Sequence, residues 1–255
     1  MTKTNKHDPG TVCWVDLMTS DAEKARNFYK AMFDWTFAVG GPESGYYSMA
    51  NLGEDHVAGL GPIPEGMKMP SAWSVYFCTD NVDTTAERVK ANGGKVMMGP
   101  MDVMDEGRMA VLADPTGAVF GVWQPMKHTG AERIDEPGAM CWYEVYTTDA
   151  AKARDFYCKV FNLEPKKLEG AEVDYWTFHK GPKTVGGCMK MTEHMAGMPS
   201  HWNTYFAVKD CDAAAKRVAE LGGKVMAPPF DTPYGRMSAV FDPIGAAFCV
   251  IEMKG

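Results

Sequence analysis

The chain repeats itself, and that constrains its fold more than any other feature. Gly10–Phe33 (GTVCWVDLMTSDAEKARNFYKAMF) and Gly138–Phe161 (GAMCWYEVYTTDAAKARDFYCKVF) agree at 12 of 24 positions, at an offset of 128 residues. Two further blocks follow in the same order. SVYFCTDNVDTTAERVKANGGKVM from Ser74 matches NTYFAVKDCDAAAKRVAELGGKVM from Asn203, and GRMAVLADPTGAVF from Gly107 matches GRMSAVFDPIGAAF from Gly235. Three collinear blocks define two homologous halves, residues 1–126 and 138–255, joined by a polar linker at 127–137. Each half has an ordinary domain length.

Within a half the periodicity changes twice. Val12–Met18 predicts a strand, and Thr19-Ser20-Asp21 supplies N-cap chemistry. Ala25, Phe28, Tyr29, Met32 and Phe33 then recur at helical spacing, matched by Ala153, Phe156, Tyr157, Val160 and Phe161. Short strands are expected at Tyr46–Asn51 and His56–Leu60, and a longer one at Trp73–Thr79. A second helix follows, ending at Gly93-Gly94. Arg108–Ala113 and Ala118–Trp123 close the half around the turn Asp114-Pro115-Thr116-Gly117. The class is therefore α+β: a tandem duplication in which each half is two βαβββ modules forming a curved sheet around a cleft.

Charge and composition narrow the partners. The net charge is −7, with no basic field of the kind phosphate backbones or anionic membranes select. No apolar run approaches the 18 residues a spanning helix needs, and the polar first ten residues do not read as a signal peptide. The seven cysteines are odd in number, scattered and without a C-x-x-C pair, which fits reduced thiols and a cytoplasmic location. A small molecule is the expected partner, with no nucleic acid and no membrane. Four modules in one chain predict a monomer, any homodimer being secondary.

The strand followed by T-x-D-x-x-x-A-x-x-F-Y, the later V-x-D-V-D-like stretch (TDNVD and VKDCD) with G-G, and the D-P-x-G turn resemble the vicinal-oxygen-chelate superfamily. That group holds glyoxalase I, bleomycin-resistance proteins and extradiol dioxygenases, and the closest likeness is to two-domain glyoxalase-like bacterial proteins. The resemblance implies a metal held by His, Glu or Gln in each cleft. Carried over position by position, those ligands fall on Trp14, Ser74, Gly121 and a place near Gly59 in the first half. In the second half they fall on Trp142, Asn203, Cys249 and a place near Gly187. Indole and glycine do not ligate, so the expectation is no metal and no cofactor.

What stands there instead defines the candidate site. Residues two apart share a strand face, so Trp14 pairs with Asp16, Trp142 with Glu144, Gly121 with Trp123, and His201 with Asn203 and Tyr205. Asp16, Glu144 and His201 are the candidate catalytic groups. The first two are either general bases beside indole or carboxylates satisfied by a neighbouring donor. Trp14, Ser74, Trp123, Trp142, Asn203, Tyr205, Cys249 and Arg236 are the candidate ligand contacts, Trp14 and Trp142 being alternatively cavity plugs. Arg236, like Arg108, follows a glycine in a hairpin and suits either an anion clamp or a hairpin-fixing salt bridge. His7, His56, His128, His179 and His194 are loop-borne or lie in poorly placed stretches. Two function classes result: a metal-independent binder of a small aromatic or amphipathic molecule in a Trp-lined cleft, or an enzyme on the same scaffold. The enzyme is either a metal-independent lyase, isomerase or hydroxylase, or a metal-dependent glyoxalase or dioxygenase type using unrecognised ligands.

Overall fold

The computed structural model describes residues 2–4, 6–170 and 173–254. The first half runs β1 (Thr2–Lys3), β2 (Val12–Thr19), α1 (Ala22–Phe33), β3 (Thr36–Val39), β4 (Ser48–Leu52), β5 (Asp55–Pro62), β6 (Ala72–Cys78), α2 (Val82–Ala91), β7 (Lys95–Val103), β8 (Gly107–Ala113) and β9 (Val119–Pro125). β10 (Arg133–Ile134) lies in the linker and pairs with β1. The second half repeats the pattern with β11 (Met140–Thr147), α3 (Ala150–Phe161), β12 (Glu164–Lys167), β13 (Tyr175–Lys180), β14 (Lys183–Lys190), β15 (His201–Ala207), α4 (Cys211–Glu220), β16 (Lys224–Thr232), β17 (Gly235–Phe241) and β18 (Ala247–Met253).

Each half builds one open eight-stranded sheet, in the order β3-β4-β5-β2-β6-β9-β8-β7 and β12-β13-β14-β11-β15-β18-β17-β16. The two modules meet along the antiparallel β2–β6 and β11–β15 pairs. Within a module the first and last strands run parallel, β2 with β5 and β6 with β9. Parallel neighbours need a crossover, and the helix of each module supplies it.

The local chemistry set these boundaries. The Asp21 carboxylate accepts the Lys24 amide at 3.0 Å and Asp149 accepts that of Lys152 at 3.0 Å, so both long helices start where an orphan donor is satisfied. Asn81 and Asp210 cap α2 and α4 in the same way. In the D-P-x-G turns, Asp114 accepts the amides of Thr116 and Ala118, and Asp242 those of Ile244 and Ala246.

Aromatic side chains of α1 and α3 reach across to the sheet of the other half. Phe33 of α1 lies 5.2 Å from Phe206 of β15, and Phe77 of β6 stacks on Phe161 of α3 at 4.3 Å. Trp35 donates its indole N–H to the carbonyl of Gly138 at 2.7 Å. Tyr29 accepts from the Trp73 indole at 2.9 Å and donates to Asp242 across the junction at 3.1 Å. One contiguous core therefore spans both halves, lined by Val15, Leu17, Val75 and Phe77 from the first sheet. Alternation then turns Trp14, Asp16, Ser74 and Tyr76 to the opposite face.

Candidate functional site

Both sheets carry a carboxylate on that opposite face, gripped by tyrosines. In the first half Asp16 of β2 lies beside Gly59 of β5 and Ser74 of β6. Its Oδ2 accepts from the hydroxyls of Tyr76, at 3.1 Å, and Tyr47, at 3.3 Å. The Trp14 indole N–H donates to the same Tyr47 hydroxyl at 2.9 Å. Asp16 Oδ1 is buried without a partner. Burial outweighs the two phenol donors and pushes the Asp16 carboxyl up to about 7. The Tyr47 and Tyr76 hydroxyls rise as well, by burial first and the Asp16 charge second.

The second half repeats the grip with a longer acid. Glu144 Oε2 accepts from Tyr175 at 2.7 Å, and Oε1 accepts from Tyr205. Tyr146 adds a hydroxyl contact of 2.9 Å to Tyr205, so a chain of hydroxyls leads from a half-buried rim residue to the buried carboxylate. The first half has Met18 at the corresponding place and no such chain.

Glycine makes room for the tyrosines. A Cβ at Gly59 would meet the Tyr47 hydroxyl at 1.7 Å, and one at Gly187 would meet that of Tyr175 at 2.2 Å. These are places where the family resemblance puts metal ligands. Trp14, Gly59, Ser74 and Gly121 offer no ligating set, and in the second half Asn203 donates to Cys249 Sγ at 3.2 Å while burial raises that thiol to about 12. Among the described residues no group of three or more His, Cys, Asp or Glu is arranged to hold a metal ion.

The two faces differ in cover. Trp14 and Trp123 are only 5% and 8% exposed. The linker residue His128 sets its ring edge against both, with centroids at 4.4 and 5.6 Å, and Trp123 donates to its carbonyl at 2.9 Å. In the second half Trp142 is half-buried. There Tyr205, Cys249 and Ile251 form a separate apolar cluster with Cys141, Trp142, Met237 and Ala239.

The remaining expected residues are accounted for. Ser74 is half-buried beside Asp16. His201 stands at the rim, its ring 5.4 Å from that of Tyr146 and its Nδ1 2.8 Å from the Pro199 carbonyl, outside the set that holds Glu144. Arg236 is spent on Asp212 and Asp231, as Arg108 is on Asp83 and Asp102, which is the hairpin-fixing alternative. Sequence reasoning passed over Tyr47, Tyr76, Tyr146, Tyr175 and His128. The signal for two pairs was present, since Tyr47 and Tyr175, like Tyr76 and Tyr205, occupy matching places in the repeat.

Two open eight-stranded sheets of paired βαβββ modules define the glyoxalase-like class of fold. The chain belongs to the Glyoxalase/Bleomycin resistance protein/Dioxygenase superfamily, whose family model matches residues 11–122 and again 139–250. It is 40% identical over 260 residues to "Putative glyoxylase CFP32" of Mycobacterium tuberculosis, covering 99% of this chain and 98% of that protein. It is 39% identical over 262 residues to "Anthracycline biosynthesis protein DnrV" of Streptomyces peucetius, covering 96% of this chain and 94% of the relative. Among solved structures it resembles the 2,3-dioxygenase LapB of Pseudomonas sp. KL28, with a TM-score of 0.67 at 12% identity, over 100% of this chain and 94% of that one. The Mn(II)-bound glyoxalase of Novosphingobium aromaticivorans gives 0.65 at 15%, over 96% and 83%. At such identities the likeness concerns fold alone.

Proposed function

We propose that the chain binds a small aromatic or amphipathic molecule without a metal, and that the second cleft is the site. The observation that carries this reading is the buried Glu144 held by Tyr175 and Tyr205, with half-buried Trp142 and Met237 packed against buried Ile251 beside it. A few convergent polar groups in an apolar wall is the usual make-up of a small-molecule pocket. The indole and the sulfur-bearing side chain suit a flat ring, and the hydroxyl chain suits an oxygen-bearing edge. The name of the Streptomyces relative ties that protein to the making of anthracyclines, which are polycyclic aromatics, and supports an aromatic ligand here.

The enzymatic reading is favoured by one observation, the Asp16 carboxyl held at about 7. A group poised near neutrality exchanges a proton readily, and Asp16 or Glu144 would be the acid–base residue, with His201 at the rim. Native mass spectrometry with elemental analysis of gently purified protein tests both readings. A retained organic ligand and no stoichiometric divalent metal is the expected result. Zinc, nickel, iron or manganese near one per half, or glutathione-dependent turnover of methylglyoxal, would overturn it.

A further inference from the structure

The first cleft is covered by the segment that joins the halves. Its backbone is fastened at several points: the Ala131 amide to the Cys13 carbonyl at 2.8 Å, the Glu132 amide to the His56 carbonyl at 2.8 Å, and the His128 amide to the Glu106 carbonyl at 3.1 Å. Arg133 adds an ion pair with Glu136 and a hydrogen bond to the Leu52 carbonyl. His128 fills the gap between Trp14 and Trp123, and its Nε2 is buried with no partner. An imidazole in such a place holds its seat only while neutral, because a second ring proton would find no acceptor.

Two more imidazoles stand close by. The His56 ring centroid is 6.1 Å from that of His128, with its Nδ1 2.6 Å from Asn51 Oδ1. His7 reaches the Ala131 carbonyl through Nε2 at 2.8 Å, so it fastens the same segment from the other side. The charged groups around this trio are Lys183 and Asp8, paired with each other beside His7, and Glu132, whose carboxylate is spent on the His56 amide. Asp105 is paired with Lys127 next to His128, Asp16 lies behind Trp14 and Tyr47, and none of these carboxylates is bonded to His128 Nε2.

We infer that residues 127–137 form a strap which keeps the first cleft closed and which lets go when His128 takes up a proton, His56 and His7 adding to the repulsion. The inference is independent of what the second cleft binds. Burial, then the charges of His56 and His7, hold the seated His128 down to about 4 against an ordinary 6.5. A released imidazole regains its ordinary affinity for the proton, so acid favours release. Between those limits the bias grows about tenfold per pH unit and reaches roughly a hundredfold by pH 4.5. Release would bare Trp14 and Trp123 as a second aromatic slot, with the unpartnered Asp16 Oδ1 at its base.

Nuclear magnetic resonance on the full chain tests this, following the Trp14 indole N–H and the His128 ring from pH 7.5 to 4, beside the fluorescence of 8-anilinonaphthalene-1-sulfonate and far-ultraviolet dichroism. The wild type should show the Trp14 signal moving with the His128 titration and dye fluorescence rising at least threefold, with dichroism unchanged. His128→Phe keeps a ring in the gap and has no proton to take up, so both changes should vanish below pH 6, where Asp16, which Trp14 senses through Tyr47, is already protonated. The same changes in His128→Phe would overturn the inference. So would an ordinary His128 titration with Trp14 unmoved, or loss of dichroism together with the Trp14 shift, which would make the event unfolding.

Discussion

Tyr76 stands where a side chain at position 121 would have to go. The two residues are register partners on β6 and β9, and a Cβ built on Gly121 meets the Tyr76 ring at 2.1 Å. The glycine and the ring are thus one device, and the device holds a hydroxyl against Asp16 at 3.1 Å. Gly121→Ala should cost about 1–3 kcal/mol, the usual range for an overpacked core. Thermal denaturation checks it, and a Tyr76→Ala background should remove most of the loss.

Asp16 gives a pH signature of known sign. Its folded pKa, about 7, lies above the ordinary 3.8, so the folded chain binds the extra proton between those values. Stability from this group is therefore present in acid and lost as the pH rises toward 7. Asp16→Asn stays neutral throughout. The melting temperature of the variant, relative to wild type, should climb between pH 5 and pH 8, and a flat or falling difference would mean that Asp16 ionises normally.

The second cleft can be probed with 2-naphthol by titration calorimetry. Trp142→Ala should weaken binding about tenfold through lost ring contact. Tyr175→Phe should weaken it several-fold, since one hydrogen bond contributes on the order of 1 kcal/mol. Arg236→Ala should leave it unchanged, because that guanidinium is held by Asp212 and Asp231. Equal losses at all three positions would move the site elsewhere.

Much of this architecture was legible from residues alone. The repeat, the helix stripes and the D-P-x-G turns carry their own local signals. The edge strands β3 and β12 do not: Thr36–Val39 and Glu164–Lys167 are mostly exposed, and the second contains Pro165. They are strands because β4 and β13 offer them partners. Asp16 and Glu144 are reached by strand alternation from Trp14 and Trp142, positions that the family resemblance marks, but their tyrosines are not, since Tyr47 and Tyr175 come from a different strand region whose register no single sequence prints. His128 was read as a loop residue for the same reason. A linker advertises its polarity, whereas the cleft it lies across is set by tertiary packing.

Tyr29 offers a test of the junction between halves. Its hydroxyl serves both Trp73 and Asp242 and is buried. Tyr29→Phe leaves two buried polar groups without that partner and should cost about 1–3 kcal/mol. Calorimetry should still show one transition, both halves melting together. Two resolved transitions in the wild type would contradict the shared core.

That shared core has a consequence for how such a chain could arise. Phe33 and Trp35 from one repeat lie against Phe206 and Gly138 of the other, while Phe77 meets Phe161 in the reverse sense. The contact is reciprocal, as between two identical subunits related by a twofold axis. A severed repeat would present a sticky aromatic face, and a second copy could cover it with the same residues. Gene fusion of an ancestral homodimer would yield this arrangement directly. It would also free each repeat to diverge, one toward closing its cleft and the other toward keeping it open.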